Sequence, residues 1–362
     1  MTSEAVTAAT PSARPATPRR PLGQLLSVRN IGAIYVWIAI IVLFSLIASE
    51  TFPTAQTAKA ILNQYSITGI VALSLVIPLA AGFYDLSIGY TLGLAGILAA
   101  YLLENTGMSP LAAGAITIAA CVVIGLFNAL VVVGFGINSF IGTLGTGAVL
   151  AAITLAISND QTITGRIGED FAKIASTSWE GLTLPVLYLL AIVVGLWWWL
   201  ERTRMGRNFY AMGFEREAAR LSGVKIDRLG TIAFVTSAVI AGFAGMVLAG
   251  RVSSASPSVG PAYLIPAFSA AFLGATQLRQ GRFNAWGTVI AVLLLGTGNV
   301  GLLLAGGPAW TPQLFEGLVL IAAVGLTVSG NEGLRGKIAN AWRRARERGS
   351  GAEAGDAERH AG

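Results

Sequence analysis

Long apolar runs alternate with short polar segments along most of the chain. A transmembrane helix needs about 20 mostly apolar residues, and ten stretches reach or approach that length. They lie at 31–48, 64–81, 86–103, 110–134, 138–157, 182–200, 230–250, 262–276, 284–304 and 312–328. The pattern predicts an all-α integral membrane protein with about ten transmembrane helices. The run at 262–276 is short, and the region 64–103 can also be divided differently.

Polar tails flank a predicted transmembrane domain that covers residues 30–330. Residues 1–29 are rich in Thr, Ala and Pro, and residues 331–362 are basic and rich in Gly and Ala. Both compositions are typical of disordered segments. The whole chain is 54% hydrophobic and only 12% charged, whereas soluble domains carry about 25% charged residues. The composition therefore agrees with a membrane protein.

The basic residues are distributed unevenly among the polar segments. With the N-terminus inside, twenty of the 24 Lys and Arg residues fall on the cytoplasmic side, in the two tails and in segments 202–229 and 277–283. Because positive residues accumulate in cytoplasmic segments, we predict that both termini are cytoplasmic. The net charge of +6 is then mostly a topology signal, and no nucleic-acid partner is expected.

The chain has few residues suited to catalysis or to metal binding. Its one cysteine, Cys121, and its one histidine, His360, allow neither an internal disulfide nor a His- or Cys-based metal cluster. We therefore expect no metal, no cofactor and no enzymatic activity. The sequence also lacks a Gly-x-x-x-x-Gly-Lys-Ser/Thr phosphate loop, and only Asp85 and Glu316 qualify as intramembrane carboxylates. Powered transport would thus need a separate ATPase subunit.

Segment 202–229, "RTRMGRNFYAMGFEREAARLSGVKIDRL", combines basic residues with a short apolar stripe. Phe214, Ala218 and Leu221 recur at helical spacing. A glycine on each side limits the predicted helix, and Gly223 suits the left-handed conformation of a helix C-cap. A short amphipathic helix of this kind can dock into a groove of another protein. The alternative is a basic loop that only sets the orientation.

The same segment resembles a known motif. Glu217-Ala218-Ala219, followed after three residues by Gly223, is similar to the Glu-Ala-Ala…Gly signature of permease subunits of ATP-binding-cassette importers. In those proteins the signature marks the coupling helix that fits into the ATPase subunit. The ATPase-coupling residues that the resemblance implies are Phe214, Arg216, Glu217, Ala218, Ala219, Arg220, Leu221 and Gly223.

Other stretches resemble the ribose/xylose/galactose-type branch of these permeases, in the family's order and over roughly residues 30–330. "GFYDLSIG" (82–89) is similar to its Gly-Gly-Ile-Asp-Leu-Ser-Val-Gly segment. "FIGTLGTGAVLAAITLAI" (140–157) resembles its Phe-Ile-Val-Thr-Leu-Gly span. "GATQLRQGRFNAWGTVIAVLLLGTGNVGLLL" (274–304) is similar to its Gly-Gly-Thr…Gly-Gly-Arg-Gly region.

This resemblance implies a type II importer-like permease fold. The implied function is that of a multi-pass permease subunit in the inner membrane, which moves a monosaccharide or a similar small polar solute. The implied partners are an ATPase subunit at the cytoplasmic face, a second permease copy or similar subunit, and an extracytoplasmic solute-binding protein. The alternatives are a branched-chain amino-acid or nucleoside permease of the same class, and a stand-alone secondary transporter.

Prolines and glycines interrupt two apolar regions at corresponding places, which is the best sequence pointer to a transport pathway. The interrupting residues are Pro78, Gly82 and Gly89 in the first region and Pro266, Gly274 and Gly281 in the second. The predicted pathway or gate residues are Gly82, Phe83, Asp85, Ser87, Gly89, Asn128, Thr143 and Asn299. Hydrogen bonding between helices is the alternative role for the polar members of this set.

Asp85 is the only charged residue between Ala60 and Leu103. The predicted topology places it at the cytoplasmic end of two spans, where it avoids the cost of about 2.5–3.5 kcal/mol for a charge at a helix centre. We predict a structural and gating role, in which the carboxylate accepts hydrogen bonds from backbone N–H groups or pairs with a cytoplasmic arginine. Phe83 and Phe283 stand where the family usually has small residues.

Residues 158–183 form the largest predicted outer segment. Its charged side chains make it mildly acidic. We consider two interpretations: a structural loop, or a landing surface for an external partner.

Overall fold

A computed structural model describes residues 28–165, 167, 171–278 and 281–329. All of the predicted tail 331–362 and nearly all of the tail 1–29 lie outside these residues, and so do Arg279 and Gln280. The described part of the chain is mainly helical.

Each of the ten apolar runs lies on a helix. The bounds are α1 Val28–Ile47, α2 Ala55–Ala80, α3 Ile88–Glu104, α4 Pro110–Ala129, α5 Ser139–Ser158, α7 Leu184–Arg202, α10 Ile226–Val252, α11 Leu264–Ala275, α12 Ala285–Leu304 and α13 Thr311–Ser329. A π-helical turn, Leu130–Gly134, extends α4, and a 3₁₀ turn, Gly260–Tyr263, precedes α11. Three short helices make up the remainder of the helical structure: α6 Ala172–Ser176, α8 Arg204–Phe214 and α9 Arg216–Leu221.

Six of these helices are long and apolar enough to cross a membrane, within the residues that the structure describes. They are α2, α4 with its π turn, α5, α7, α10 and α12. The apolar stretches of α1, α3, α11 and α13 are shorter. The protein is therefore a multi-pass membrane protein, and the total of about ten spans stays a prediction.

Helix α2 begins nine residues before the apolar run that predicts it. Its N-cap is Thr54, whose hydroxyl accepts a hydrogen bond from the Thr57 N–H at 3.1 Å. The first turns carry Lys59 and Asn63, which hold the outer segment instead of facing lipid. Hydropathy alone misses this start, because polar side chains with protein partners do not extend an apolar run.

Helix α10 lies at the centre of the packing and contacts α2, α3 and α4. Its face toward α3 is built from small residues, and Gly245 lies against the backbone of Leu92. Small residues let transmembrane backbones approach closely, which increases van der Waals contact where no hydrophobic driving force acts. The position of α10 is therefore fixed against α2 and α3, the two helices on either side of the first interrupted region.

Short strands accompany the helices at the predicted outer segment, while the described part of the chain stays mainly helical, as the sequence predicts. Strand β1 (Ile163–Thr164) pairs antiparallel with β4 (Ser254–Ala255), and β2 (Ser178–Trp179) pairs antiparallel with β3 (Leu182–Thr183). Ile167 and Phe171 are buried in a core cluster with residues of α3 and α10. The segment is thus a packed cap on the helices.

Candidate functional site

The loop between α7 and α10 folds as two short helices, not as the single helix predicted to follow Gly213. Helix α8 is capped by the hydroxyl of Thr203, which accepts from the Gly206 N–H at 3.1 Å. It ends at Phe214, since Glu215 is extended (φ −150°, ψ 100°). Phe209 and Met212 of α8 are buried. Gly213, which the sequence predicts to precede the short helix, lies inside α8.

Residues 214–223, which we call the coupling surface, expose apolar side chains. Phe214 is 92% exposed and Leu221 is 84% exposed, while Ala219 is 5% exposed and packs inward. Glu217 and Arg220 form an exposed ion pair at 2.8 Å. The remaining members of the predicted coupling set, Arg216, Ala218 and Gly223, are also exposed.

The coupling surface ends as the sequence predicts, with Gly223 in the left-handed conformation (φ +84°). Its N–H donates to the Arg220 carbonyl at 3.0 Å, and the Val224 N–H donates to the Ala219 carbonyl at 3.1 Å. These bonds satisfy carbonyl groups that the end of a helix leaves free. The short helix α9 is therefore defined at both ends.

The first break, residues 81–87, joins α2 to α3 around the buried carboxylate of Asp85. Oδ1 accepts from the backbone N–H and the hydroxyl of Ser87 at 3.1 and 2.6 Å, and Oδ2 accepts from the Ser237 hydroxyl at 2.8 Å. Asn128 donates its amide N–H to Ser87 Oγ at 2.8 Å. The predicted acceptance of a backbone N–H is confirmed, and no arginine pairs with Asp85 among the described residues. This network joins the break to α4 and α10.

Helix α5 holds the other side of the first break. Ser139 Oγ accepts from the Tyr84 N–H at 3.0 Å, and Thr143 Oγ1 accepts from the Leu86 N–H at 2.9 Å. Backbone groups in a break have no helical partner, and side chains of a neighbouring helix satisfy them here. Thr143 therefore serves as a hydrogen-bond acceptor for the irregular backbone of the first break.

Phe83 connects the first break to the coupling surface. Its ring is buried and lies 5.4 Å from the ring of Phe234 on α10. The Arg216 guanidinium stands over the other side, 5.4 Å from the ring centroid, within the range of cation–π attraction. The aromatic departure from the family pattern thus has a structural reason, because Phe83 packs between α10 and the residue that opens α9.

The backbones of α8 and the first break also touch directly. Gly213 lies against the carbonyl of Ala80, so that a β-carbon at position 213 has no room. Gly82 adopts φ +81°, and a β-carbon there would come within 3.2 Å of the Gly213 Cα. Two residues without side chains are therefore required for this contact between α8 and the end of α2.

The second break, residues 276–284, is organised by Asn284, the N-cap of α12. Its amide nitrogen donates to the carbonyls of Gly274, Gln277 and Arg282, each at 3.1 Å. Its Oδ1 accepts from the Gly287 N–H at 2.7 Å. One buried side chain therefore fixes both the turn and the start of the next helix.

Helix α8 contacts this second break as well. The Tyr210 hydroxyl donates to the Phe283 carbonyl at 2.9 Å, and the Arg282 guanidinium lies 4.5 Å from the centre of the Tyr210 ring. The Phe283 ring packs edge-on against Phe272 at 5.3 Å, and Phe272 stacks with Tyr84 at 6.4 Å. The two breaks are thus linked both through α8 and through an aromatic run.

The structure gathers most, but not all, of the predicted pathway residues. Gly82, Phe83, Asp85, Ser87, Asn128 and Thr143 form one cluster around the first break. Gly89 lies on α3, where it packs against the backbone of Gly260. Asn299 belongs to a different cluster on α12, in which its amide donates to Glu316 Oε1 at 2.6 Å. Asn299 thus lies outside the cluster at the first break, and the pathway role of the whole set stays a prediction.

Two site residues escaped the sequence reasoning. Ser237 donates to Asp85, and its only sequence signal is a hydroxyl within the apolar run of α10. Tyr210 lies in a segment read for its basic charge and its apolar stripe, and neither pattern indicates a contact with the second break. Both contacts join segments far apart in the chain, which helical spacing alone does not reveal.

Comparison with known proteins identifies a family and several individual proteins to which the chain is similar. A family model described as "Branched-chain amino acid transport system / permease component" matches residues 57–324. The D-allose transport system permease protein AlsC of Escherichia coli is 30% identical over 314 residues, 86% of this chain and 95% of that protein.

Two further relatives are named for other cargoes. The ribose import permease protein RbsC of Bacillus subtilis is 30% identical over 80% of this chain and 90% of its own length. The autoinducer 2 import system permease protein LsrD of Photorhabdus laumondii is 29% identical over 83% and 94%, respectively. No solved structure matches the chain. On the extent of the family match, the chain belongs to the family of branched-chain amino acid transport system permease components.

Proposed function

We propose that this protein is the permease subunit of an ATP-driven importer, which moves a monosaccharide or a similar small polar solute across the inner membrane. The observation that carries the proposal is the coupling surface. Phe214 and Leu221 are exposed beside the Glu217–Arg220 pair, and the adjoining helix α8 contacts both breaks. A partner that binds residues 214–223 would therefore act directly on the ends of transmembrane helices.

The partner that we propose for this surface is a separate ATPase subunit. An exposed aromatic residue next to ionic groups is typical of an interface anchor, and solvent alone gives no reason to expose Phe214. The charged residues around it favour a polar cytoplasmic partner over lipid. The proposed arrangement also includes a second permease copy and, at the outer face, a solute-binding protein.

Co-purification tests the coupling surface. We expect Phe214→Asp and Glu217→Arg to reduce recovery of the ATPase subunit at least tenfold, since interface anchors contribute about 2 kcal/mol or more. Trp179→Asp at the outer hairpin is the matched control, because Trp179 is also an exposed aromatic residue (77%). Normal recovery of the ATPase with both loop variants, together with normal ATP-driven uptake, would refute the assignment.

The cargo class rests on the relatives. Two of them are named for the sugars allose and ribose and one for autoinducer 2, whereas the family description names branched-chain amino acids. We propose a sugar-like cargo. In proteoliposomes that hold the complete complex, labelled ribose or allose should accumulate with ATP and leucine should not; accumulation of leucine alone would favour the amino-acid alternative.

The proposed landing surface for the solute-binding protein is the β2–β3 hairpin. Trp179 pairs with Leu182 next to the turn, and the backbone of the turn is fixed by Lys59, whose ammonium donates to the Glu180 carbonyl at 2.6 Å. Asn63 donates to the Gly181 carbonyl at 2.9 Å and accepts from the Thr183 N–H at 2.9 Å. A rigidly held, exposed tryptophan suits a protein interface, because little side-chain and loop entropy is lost on binding.

A further inference from the structure

Helix α8 touches both breaks within one turn of its own length. At its C-terminal end Gly213 lies against Ala80 of α2. Three residues earlier, the Tyr210 hydroxyl reaches the Phe283 carbonyl of the second break. The helix that precedes the coupling surface is therefore in contact with the cytoplasmic ends of two separate helix–break–helix units, α2–α3 and α11–α12.

The two breaks are built alike. Each contains a glycine with positive φ, Gly82 at +81° and Gly281 at +75°, and each is organised by a buried polar side chain, Asp85 or Asn284. Hydrogen bonds hold the irregular backbone in both: side chains of α5 and α10 bind the first break, and Asn284 binds described carbonyls of the second. Unfolding of either break would lose these bonds, whereas a shift of the break together with the groups that bind it would keep them.

We propose that Tyr210 and Arg282 are positioning residues that tie the second break to α8, so that one movement of the coupling surface displaces both breaks together. This inference rests on the proposed function and specifies how its coupling works. Arg216 and Gly213 supply the contact with the first break, and Tyr210 with Arg282 supplies the contact with the second.

The contact at the second break has a form that suits this role. The hydroxyl of Tyr210 binds a main-chain carbonyl, so it senses the position of the turn itself, while the Arg282 guanidinium covers the ring. A cavity of about 80 Å³ lies beside the contact, lined in part by Trp197, Asn284 and Trp286. This space allows the ring and the turn to shift together.

Tyr210 is not needed to hold α8 against α7. Phe209 and Met212 are buried, and Phe209 packs edge-on against Trp199 at 5.9 Å, which already fixes α8 to α7. The hydrogen bond to Phe283 connects α8 to the second break. Loss of the hydroxyl should therefore leave the loop folded.

The test measures solute transported per ATP hydrolysed, in proteoliposomes with the ATPase subunit and the solute-binding protein. We expect Tyr210→Phe to lower this ratio about threefold or more, because one hydrogen bond of about 0.5–1.5 kcal/mol corresponds to roughly 2- to 12-fold. Arg282→Gln should lower it about twofold or more, because it removes the cation from the Tyr210 ring. Arg282→Lys, which keeps a cation over the ring, should retain most of the ratio. Tyr101→Phe, on α3 at the opposite end, is the matched control.

The outcomes separate this inference from the function beneath it. An unchanged ratio in Tyr210→Phe and Arg282→Gln would overturn it, and so would a parallel loss of ATPase recovery, which would make Tyr210 an ordinary docking residue. Failure of the wild-type complex to transport any solute would refute the proposed function instead.

A second measurement needs only the permease. Spin labels at Tyr84→Cys and Leu278→Cys, both at exposed positions of the breaks (42% and 44%), report the distance between them once the buried Cys121 is replaced by Ala. The Tyr84–Phe272 stack is lost in this labelled background, so the parent and every variant are compared without it. Tyr210→Phe and Arg282→Gln should broaden this distance distribution, whereas Tyr101→Phe should not. A distribution that is unchanged in both variants would overturn the inference.

Discussion

At the scale of single residues, Asp85 is the clearest case of a charge that the fold explains. A carboxylate without partners in an apolar interior is very unfavourable, and hydrogen-bonded partners are what make it tolerable. Three donors, from Ser87 and Ser237, surround the Asp85 oxygens. The residue thereby joins the first break to α10, with no arginine partner in the part of the chain that the structure describes.

The first prediction concerns this network. We expect Ser237→Ala to lower the free energy of unfolding by about 1.5–3 kcal/mol, the usual worth of one hydrogen bond to a charged group. Asp85→Ala should cost more, because it also leaves the Ser87 N–H and hydroxyl without their acceptor. Thermal unfolding in detergent measures both, with Ser256→Ala, an outer-loop hydroxyl, as control.

Asp85→Asn separates the gating role from the structural one. An amide preserves the shape and can still accept from Ser87, so we expect a folded complex with reduced transport. Transport and assembly both at wild-type levels would contradict a gating role for the carboxylate.

At the scale of elements, the contact between α8 and α2 depends on missing side chains. Gly213 faces the Ala80 carbonyl, and the preceding residue, Met212, is buried. Because this apolar packing holds α8, the helix cannot move away from a clash at position 213 without losing packing contacts. The contact between α8 and the first break is therefore sensitive to a single methyl group added at position 213.

The second prediction follows from this geometry. Gly213→Ala should lower the free energy of unfolding by about 1–3 kcal/mol through overpacking and should reduce transport per ATP, because α8 is displaced from the break. The matched control is Gly195→Ala on α7, where a β-carbon meets no atom within 4 Å and where alanine favours the helix by up to about 1 kcal/mol. Equal behaviour of the two variants would contradict the role given to the Gly213 contact.

At the scale of the whole molecule, the sequence predicts features that depend on neighbouring residues. It misses features that depend on contacts between distant segments. Apolar runs predict the ten apolar helices, because a membrane-exposed face must be apolar along its whole length. The same reasoning misplaces the start of α2, since Lys59 and Asn63 bind a hairpin more than a hundred residues away. Likewise Asp85 is visible in the sequence, but Ser237 and Tyr210 acquire their roles only through packing across the bundle.

Helix α2 connects the two proposed partner surfaces. Its outer end holds the β2–β3 hairpin through Lys59, and its other end meets α8 at Ala80. The 21 residue steps between them span about 32 Å at 1.5 Å per residue, close to the roughly 30 Å thickness of the hydrocarbon core. One helix that crosses the membrane in this way puts the hairpin and the coupling surface on opposite sides of it.

The third prediction tests that polarity. In a Cys121→Ala background, a cysteine at Trp179 should react from outside with a membrane-impermeant thiol reagent in intact spheroplasts, and a cysteine at Phe214 should react only after lysis. Both native side chains are highly exposed, at 77% and 92%, so a difference in labelling reports the side of the membrane and not burial. Labelling of both positions from the same side would contradict the predicted orientation, and with it the assignment of the loop to a cytoplasmic ATPase.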